Sequence, residues 1–164
     1  MNRSSQIIDV IEKNPGIKFR EIMRETGMKN GVLSYHTRKL EKIGVVKVER
    51  SPRQTRFYPL GVTNEDSVLI KSLRQETPRQ ILLSLLDAEF VFNKIVEKVK
   101  KSPSTVSTYL SQLIEDEIIE FKIIDVKKSF RIKDKEIVQS AINKYHPTLM
   151  ERSAEHLADI FNSL

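Results

Sequence analysis

Three polar residues suited to hydrogen bonding with nucleic-acid bases recur at four-residue spacing: Asn30, Ser34 and Arg38. Positions i, i+4 and i+8 share one stripe of a helix, and a helix fits a major groove about 12 Å wide. Arginine can grip guanine at two acceptors, asparagine can pair with adenine, and serine can reach a base edge or a phosphate. The spacing predicts a base-reading helix over residues 29–42 and leaves open which base each residue reads.

Aromatic and basic side chains flank this stripe. Tyr35 can place its ring against a thymine methyl or its hydroxyl near a phosphate. Lysines beside the stripe suit phosphate contacts, which fix the register of a protein on DNA and carry no sequence information. The predicted phosphate contacts on this helix are Lys29, Lys39 and Lys42, and Arg20 and Arg24, one turn apart on the second helix, are further candidates. For the helix charges alone, a solvated basic face is the alternative.

A predicted hairpin after this helix carries more basic residues. Residues 45–50 alternate as a strand, residues 51–54 interrupt it, and residues 55–58 return. Arg50, Arg53 and Arg56 would cluster with Gln54 around the tip, where core packing does not call for them. A hairpin arginine can lie along the DNA backbone or enter a narrow, electronegative minor groove. The cluster therefore predicts a second contact with DNA.

The charge of the chain is concentrated in its first part. The 164 residues carry a net charge of +6, yet residues 1–62 hold 13 basic and 6 acidic side chains, and the remaining residues hold 15 and 16. Basic charge confined to one domain is the electrostatic footprint of phosphate binding. We therefore expect residues 1–62 to form the DNA-binding domain.

Helix and turn signals place these residues in a compact unit. Ile7, Ile8, Val10 and Ile11 give a first helix an apolar face, and residues 14–16 end it with turn chemistry. A second short helix carries Phe19, Ile22 and Met23 and stops at Gly27, a residue suited to a left-handed cap. Three helices and a basic hairpin predict a winged helix-turn-helix.

The pattern of this unit occurs twice. Residues 33–46 align with residues 106–119 without a gap, at a constant offset of 73. Such a repeat predicts two small domains, here 1–62 and 78–133, the second opening with Thr77 as a cap and Pro78 in the first helical position. A connector over residues 63–77 contains a helix from about Glu65 to Leu73. The fold class is mainly α, in the α+β sense.

The second copy has lost the basic helix face. Its equivalent helix shows serine, threonine and glutamine and then Glu115, Asp116 and Glu117, which would repel phosphates. Lysines before this helix and in a predicted turn over residues 125–128 leave weak backbone contact open. We expect this copy to serve in packing, dimer contact or partner binding rather than in reading sequence.

Residues 134–164 are predicted to form two helices, the first capped by Asp134. The second repeats apolar residues at steps of four and three, the spacing of a coiled-coil seam. The predicted dimerisation residues are Met150, Ala154, Leu157, Phe161 and Leu164. Because two heptads are too few to hold a dimer alone, packing on the domain's own core is the alternative.

Several classes of function are disfavoured by composition. The chain contains no cysteine, so thiolate metal sites and disulfides are excluded and a reducing compartment is indicated. Its apolar runs are shorter than the ~20 residues of a membrane helix, and no signal segment opens it. His146 and His156 lack a matching ligand set. We expect a cytoplasmic, nucleoid-associated protein that is not an enzyme and uses no cofactor or metal.

The run over residues 34–46, with Tyr35-His36, Leu40 and Gly44 before the hairpin, resembles winged-helix transcription regulators common in archaea and bacteria. The resemblance covers residues 5–59 well and residues 78–132 fairly, so most of the chain resembles a tandem winged-helix regulator. It implies a homodimer that binds a partly palindromic promoter site and blocks or recruits the transcription machinery. Thr37 departs from the larger apolar residue usual at its position.

Two other functions compete with this one. A tandem winged-helix protein can be a scaffold subunit of a chromosome-segregation or transcription complex, because the same fold also serves to hold other proteins. A switch that senses an effector in a pocket between the domains would leave little trace in sequence.

Overall fold

The structure, a computed structural model, describes residues 2–145. It divides into two compact units, one from Met1 to Ser67 and one from Val68 onward. The division falls inside a helix of the predicted connector. The predicted dimerisation residues Met150, Ala154, Leu157, Phe161 and Leu164 lie outside the described residues.

The first unit is a winged helix-turn-helix, as predicted. Its elements are α1 (Arg3–Lys13), β1 (Ile17–Lys18), α2 (Phe19–Thr26), α3 (Asn30–Lys42), β2 (Val46–Arg50) and β3 (Thr55–Pro59). The three strands form an antiparallel sheet in the order β1-β3-β2. The two-residue strand β1 was not predicted, because it is defined by pairing with β3, where Ile17 faces Phe57, rather than by a local pattern.

Capping residues mark where α1 begins and where α2 ends. Asn2 caps α1 by accepting a hydrogen bond from the Ser5 amide at 2.8 Å, and Gly27 closes α2 with a left-handed φ of 70°. The apolar faces meet in one core. The buried members of this core are Ile7, Ile11, Ile17, Ile22, Leu33, Leu40, Val46 and Phe57.

The second unit repeats this order. Its elements are α4 (Asn64–Leu73), α5 (Glu76–Asp87), β4 (Phe90–Val91), α6 (Phe92–Val99), α7 (Pro103–Glu115), β5 (Ile119–Ile124) and β6 (Lys127–Ile132), and residues 135–145 are helical. The sheet order is β4-β6-β5. Ser102 caps α7 and accepts from the Thr105 amide at 3.3 Å. Asp134 likewise accepts from the amides of Glu136 and Ile137.

Two details of the second unit differ from the prediction. Helix α5 begins two residues earlier, at Glu76 with Gln75 as its cap, so Thr77 is a buried helical residue and not the cap. The hairpin turn is also shorter than predicted, because Asp125 and Val126 alone make it, with φ of 51° and 69°. Lys127 and Lys128 therefore belong to strand β6. Positive φ at both central residues is the geometry of a tight two-residue hairpin turn.

The offset of 73 found in the sequence extends through the whole unit. Helix α2 and α6, and likewise α3 and α7, begin and end at residues 73 positions apart. The first strand pairs agree too, because Val46 faces Pro59 in one sheet and Ile119 faces Ile132 in the other. The two hairpins have the same total length and the same centre and differ in the number of residues between the strands, four in the first unit and two in the second.

Candidate nucleic-acid interface

Helix α3 is seated by one buried stripe. Leu33, Thr37 and Leu40 point into the core, and Thr37 is only 5% exposed. The Thr37 hydroxyl donates to the Ser34 carbonyl oxygen at 3.2 Å, so a polar residue is tolerated inside. In the second unit the equivalent position holds Leu110, also buried. The unusual threonine thus sits in the same inward orientation as its apolar counterpart.

The opposite face of α3 is open and polar. It lines a shallow concave surface formed by Asn30, Gly31, Ser34, Tyr35, Arg38, Lys39 and Lys42. Tyr35 is 64% exposed, with its ring edge-on to His36 at a centroid distance of 5.2 Å. His36 is half-buried, and its Nδ1 lies 3.3 Å from Ser4 Oγ on α1. The predicted base-reading stripe and its flanking residues therefore share one accessible surface.

An ion pair ties α3 to the hairpin. Arg50 Nη1 donates to Glu41 Oε1 at 2.8 Å, and Arg50 Nη2 donates to Oε2 at 2.6 Å. This hydrogen bond, with the arginine charge, lowers the pKa of the Glu41 carboxyl against the opposing effect of burial. A two-point contact restrains a guanidinium more than a single bond does. Arg50 is therefore exposed but held, and it neutralises the acidic residue of α3.

Arg56 does not lie at the hairpin tip. The side chain is 3% exposed, and its Nη1 donates to the Gly16 carbonyl oxygen at 2.9 Å. Burial lowers the pKa of this guanidinium, while electrostatic interactions with Tyr58, Glu21 and Glu49 act in the opposite direction. The prediction that placed Arg56 at the hairpin tip, where it could contact DNA, is wrong. The middle strand β3 turns its side chain toward the loop after α1. Its role is to hold that loop on the sheet.

The remaining predicted contacts lie at the surface. Arg53 is exposed in the hairpin loop, and Gln54 beside it is half-buried, with its carbonyl oxygen accepting from the Ser51 amide at 2.9 Å. Arg20 and Arg24 are exposed on α2, and Lys29 is exposed where α3 begins. The structure thus keeps twelve of the thirteen predicted contacts at least partly accessible and buries Arg56.

The second unit lacks the ion pair of the first. The positions of Glu41 and Arg50 are taken there by Ile114 and Ile123. The outward face of α7 offers hydroxyls and an amide, with Ser107, Thr108 and Ser111 exposed. The outward face of α3 in the first unit is therefore basic, whereas the equivalent face of α7 in the second unit is uncharged.

No group of three or more His, Cys, Asp or Glu residues within 2–145 could hold a metal ion. In the same part of the chain, no helix combines the length and apolar character that a bilayer crossing requires.

Sequence comparison divides the chain within a few residues of the structural division. Residues 1–69 match a family described as an N-terminal HTH domain, and residues 75–120 match the family described as bacterial regulatory protein, arsR family. Over 108 residues, 66% of the chain, the sequence is 28% identical to an uncharacterized HTH-type transcriptional regulator from Methanocaldococcus jannaschii. The matched part spans 27% of the length of that relative.

A search of solved structures also gave matches. HlyU from Vibrio cholerae N16961 matches with a TM-score of 0.45 and 22% identity, covering 50% of this chain and 89% of its own. The transcriptional repressor BigR from Xylella fastidiosa matches with a TM-score of 0.46 and 22% identity, covering 51% and 85%. Each match extends over about half of the present chain.

Proposed function

Because this chain is a tandem winged helix-turn-helix protein homologous to an archaeal HTH-type transcriptional regulator, we propose that it binds specific double-stranded DNA and regulates transcription. In this proposal α3 enters the major groove, with Asn30, Ser34 and Arg38 toward the bases. Lys29, Lys39 and Lys42 contact phosphates, and Arg20 and Arg24 are further phosphate contacts from α2.

One observation carries the proposal: the exposed face of α3 is basic, and the acidic residue of that helix is neutralised. Arg38, Lys39 and Lys42 are exposed, while Glu41 is engaged by Arg50 at 2.6 and 2.8 Å. A free carboxylate at that position would repel a phosphate backbone. The ion pair removes this repulsion and also holds the end of strand β2 nearest the hairpin loop beside the helix.

The hairpin supplies the second contact. Arg53 lies exposed in the loop and can reach the backbone or the minor groove, a site that favours arginine where the groove is narrow. Arg50 keeps one face of its guanidinium for a phosphate while holding Glu41. Arg56 has no part in this contact.

The assembly completes the proposal. The chain acts as a homodimer in the cytoplasm, associated with the nucleoid, and binds a partly palindromic site through two copies of α3. Residues 150–164 supply the dimer contact, and bound dimers block or recruit the transcription machinery. A two-fold protein places its two reading helices about 34 Å apart, one turn of DNA.

The decisive experiment measures the affinity for duplex DNA as a function of salt. A binding site is first selected from a random duplex pool, and its dissociation constant is then followed by fluorescence anisotropy between 50 and 300 mM KCl. Neutralising about five phosphates per subunit, and so about ten per dimer, predicts a log–log slope of about −9. The selected site should also bind at least about 1,000-fold more tightly than scrambled duplex.

A protein-binding scaffold gives a different result. No sequence would be enriched in the selection, and whatever weak binding remained would be equal on every duplex. That outcome would reject the regulator in favour of the scaffold.

A further inference from the structure

The second unit contains a cleft between its helix α7 and its hairpin. The cleft has a volume of about 410 Å³, within the range of about 300 to 1,000 Å³ typical of small-molecule sites. Its lining residues are Val91, Phe92, Asn93, Ser107, Leu110, Ser111, Ile114, Lys127, Lys128 and Phe130. The floor is apolar, since Leu110 and Phe130 are buried and Ile114 is half-buried.

Comparison with the first unit shows how the character of this cleft has changed. At the equivalent positions, 73 residues earlier, Thr37 stands for Leu110, Glu41 for Ile114 and Lys18 for Val91. Arg20 and Arg38 stand for Asn93 and Ser111. In the second unit the first three exchanges therefore replace a hydroxyl or a charged group by an apolar side chain. The last two replace an arginine by an uncharged polar residue. A framework that is charged in one copy is apolar in the other.

Positive charge remains at one side of the mouth. Lys127 and Lys128 line the cleft from the start of β6, where the two-residue turn at Asp125 and Val126 places them. Lys128 Nζ lies 4.5 Å from the centroid of the Phe121 ring. The residues that line the cleft include no acid, and Lys127 and Lys128 are the only charged residues among them. An anionic group is the complement of this rim.

The size of the cleft favours a small molecule over a protein. A stable protein interface engages roughly 20 to 30 residues a side, many more than surround this recess. An apolar floor with a few polar groups at one edge is the usual composition of a ligand site. We propose that the cleft binds a small amphipathic carboxylate, with its apolar chain or ring on Leu110, Ile114 and Phe130 and its carboxylate at Lys127 and Lys128.

This inference concerns the second unit alone and does not depend on DNA reading by the first. The test uses the full chain and decanoate, with decanol as the uncharged match of equal chain length. Isothermal titration gives the affinity, and amide NMR shifts locate the site. Decanoate should bind more tightly than decanol, and the largest shifts should lie at the cleft residues.

Two variants separate the rim from the floor. In K127Q/K128Q, decanoate should bind about tenfold more weakly while decanol is unaffected, because a charge-assisted contact is lost. In Ile114→Glu, which restores the residue of the first copy, both ligands should lose binding. Lys135→Gln, at an exposed lysine outside the cleft, is the matched control and should change nothing.

Three results would overturn the proposal: equal binding of decanoate and decanol, unchanged decanoate affinity in K127Q/K128Q, or shifts centred away from the cleft. Circular dichroism checks that each variant is folded. Because Lys127 and Lys128 are both exposed, the double variant decides the matter even where Ile114→Glu does not fold.

Discussion

Gly27 and Lys100, 73 residues apart, hold the same left-handed backbone conformation at the end of equivalent helices. Gly27 has φ 70° and ψ 7° after α2, and Lys100 has φ 55° and ψ 41° after α6. Both amides donate to the carbonyl oxygen four residues earlier, at 2.8 and 3.0 Å. The turn of the second unit therefore has the same conformation although the Cβ of Lys100 makes that conformation unfavourable.

Replacing Lys100 by glycine should stabilise the protein. A left-handed conformation costs a residue with a Cβ roughly 1 to 2 kcal/mol, and the greater freedom of glycine in the unfolded chain offsets part of that. We expect Lys100→Gly to raise the free energy of unfolding of the second unit by about 1 kcal/mol, measured by urea denaturation.

Two companion variants give this measurement its meaning. Gly27→Ala should destabilise the first unit, because alanine enters the same strained region. Lys98→Gly, inside helix α6, should destabilise by about 1 kcal/mol through the poor helix propensity of glycine. A loss of stability in Lys100→Gly would show that the lysine side chain contributes more than its backbone costs.

Arg56→Ala should lower the free energy of unfolding by about 2 to 3 kcal/mol, because a buried side chain is lost and the Gly16 carbonyl loses its donor. Under conditions where the variant is fully folded, DNA affinity should stay within about twofold of the parent, as expected for a residue that makes no phosphate contact. Anisotropy and urea denaturation on the same samples test both statements. A shallower salt dependence in Arg56→Ala would contradict its assignment to the interior.

The Glu41–Arg50 pair should give a pH-dependent contribution to stability. The folded pKa of Glu41 lies below its ordinary value of 4.5, so its contribution is present above that pH and disappears as the pH falls through the folded pKa. Since both side chains are substantially exposed, the contribution stays below about 1 kcal/mol. Glu41→Gln should be less stable than the parent at pH 7 and equal to it near pH 2.

A double-mutant cycle with Arg50→Gln checks the source of that difference. The second substitution should have little effect once Glu41 is glutamine. Full additivity of the two substitutions would show that the pair makes no contribution in solution.

On the proposed DNA interface, Arg38→Ala and Arg53→Ala should differ in kind. Arg38→Ala should cost roughly 1 to 3 kcal/mol on the selected site and relax the preference at one base pair, while Arg53→Ala should weaken all duplexes alike and reduce the salt slope by about 1. Titrations on selected and scrambled duplexes provide the comparison, with Lys135→Ala as a control outside the interface. Equal losses on both duplexes for both variants would reject the division between base and backbone contacts.

Most of the first unit could be predicted because its signals are local. Apolar residues at helical spacing located α1 to α3. Gly27 marked the end of α2, because glycine adopts the left-handed conformation of a helix cap more readily than other residues do. The stripe of Asn30, Ser34 and Arg38 followed from helix periodicity, since the buried Leu33 and Leu40 determine which side of α3 faces outward.

The features that were missed depend on residues far apart in the chain. Strand β1 exists through pairing with β3, about 40 residues later. Arg56 is buried because a carbonyl at Gly16 lies opposite it, a relation that the alternation of a single strand does not reveal. The grip of Arg50 on Glu41 likewise joins a strand to a helix through the tertiary fold.

The equal spacing of the two repeats poses a difficulty for a newly made chain, because each element has a look-alike of nearly the same length in the other half. Tandem repeats of this kind are prone to misassembly between neighbouring halves. Differences between the two interiors oppose such misassembly. If β3 packed into the second unit in place of β6, Arg56 would take the position of Ser129, and its guanidinium would lack the Gly16 carbonyl as a partner. The sequence differences between the two interiors thus disfavour misassembly during folding.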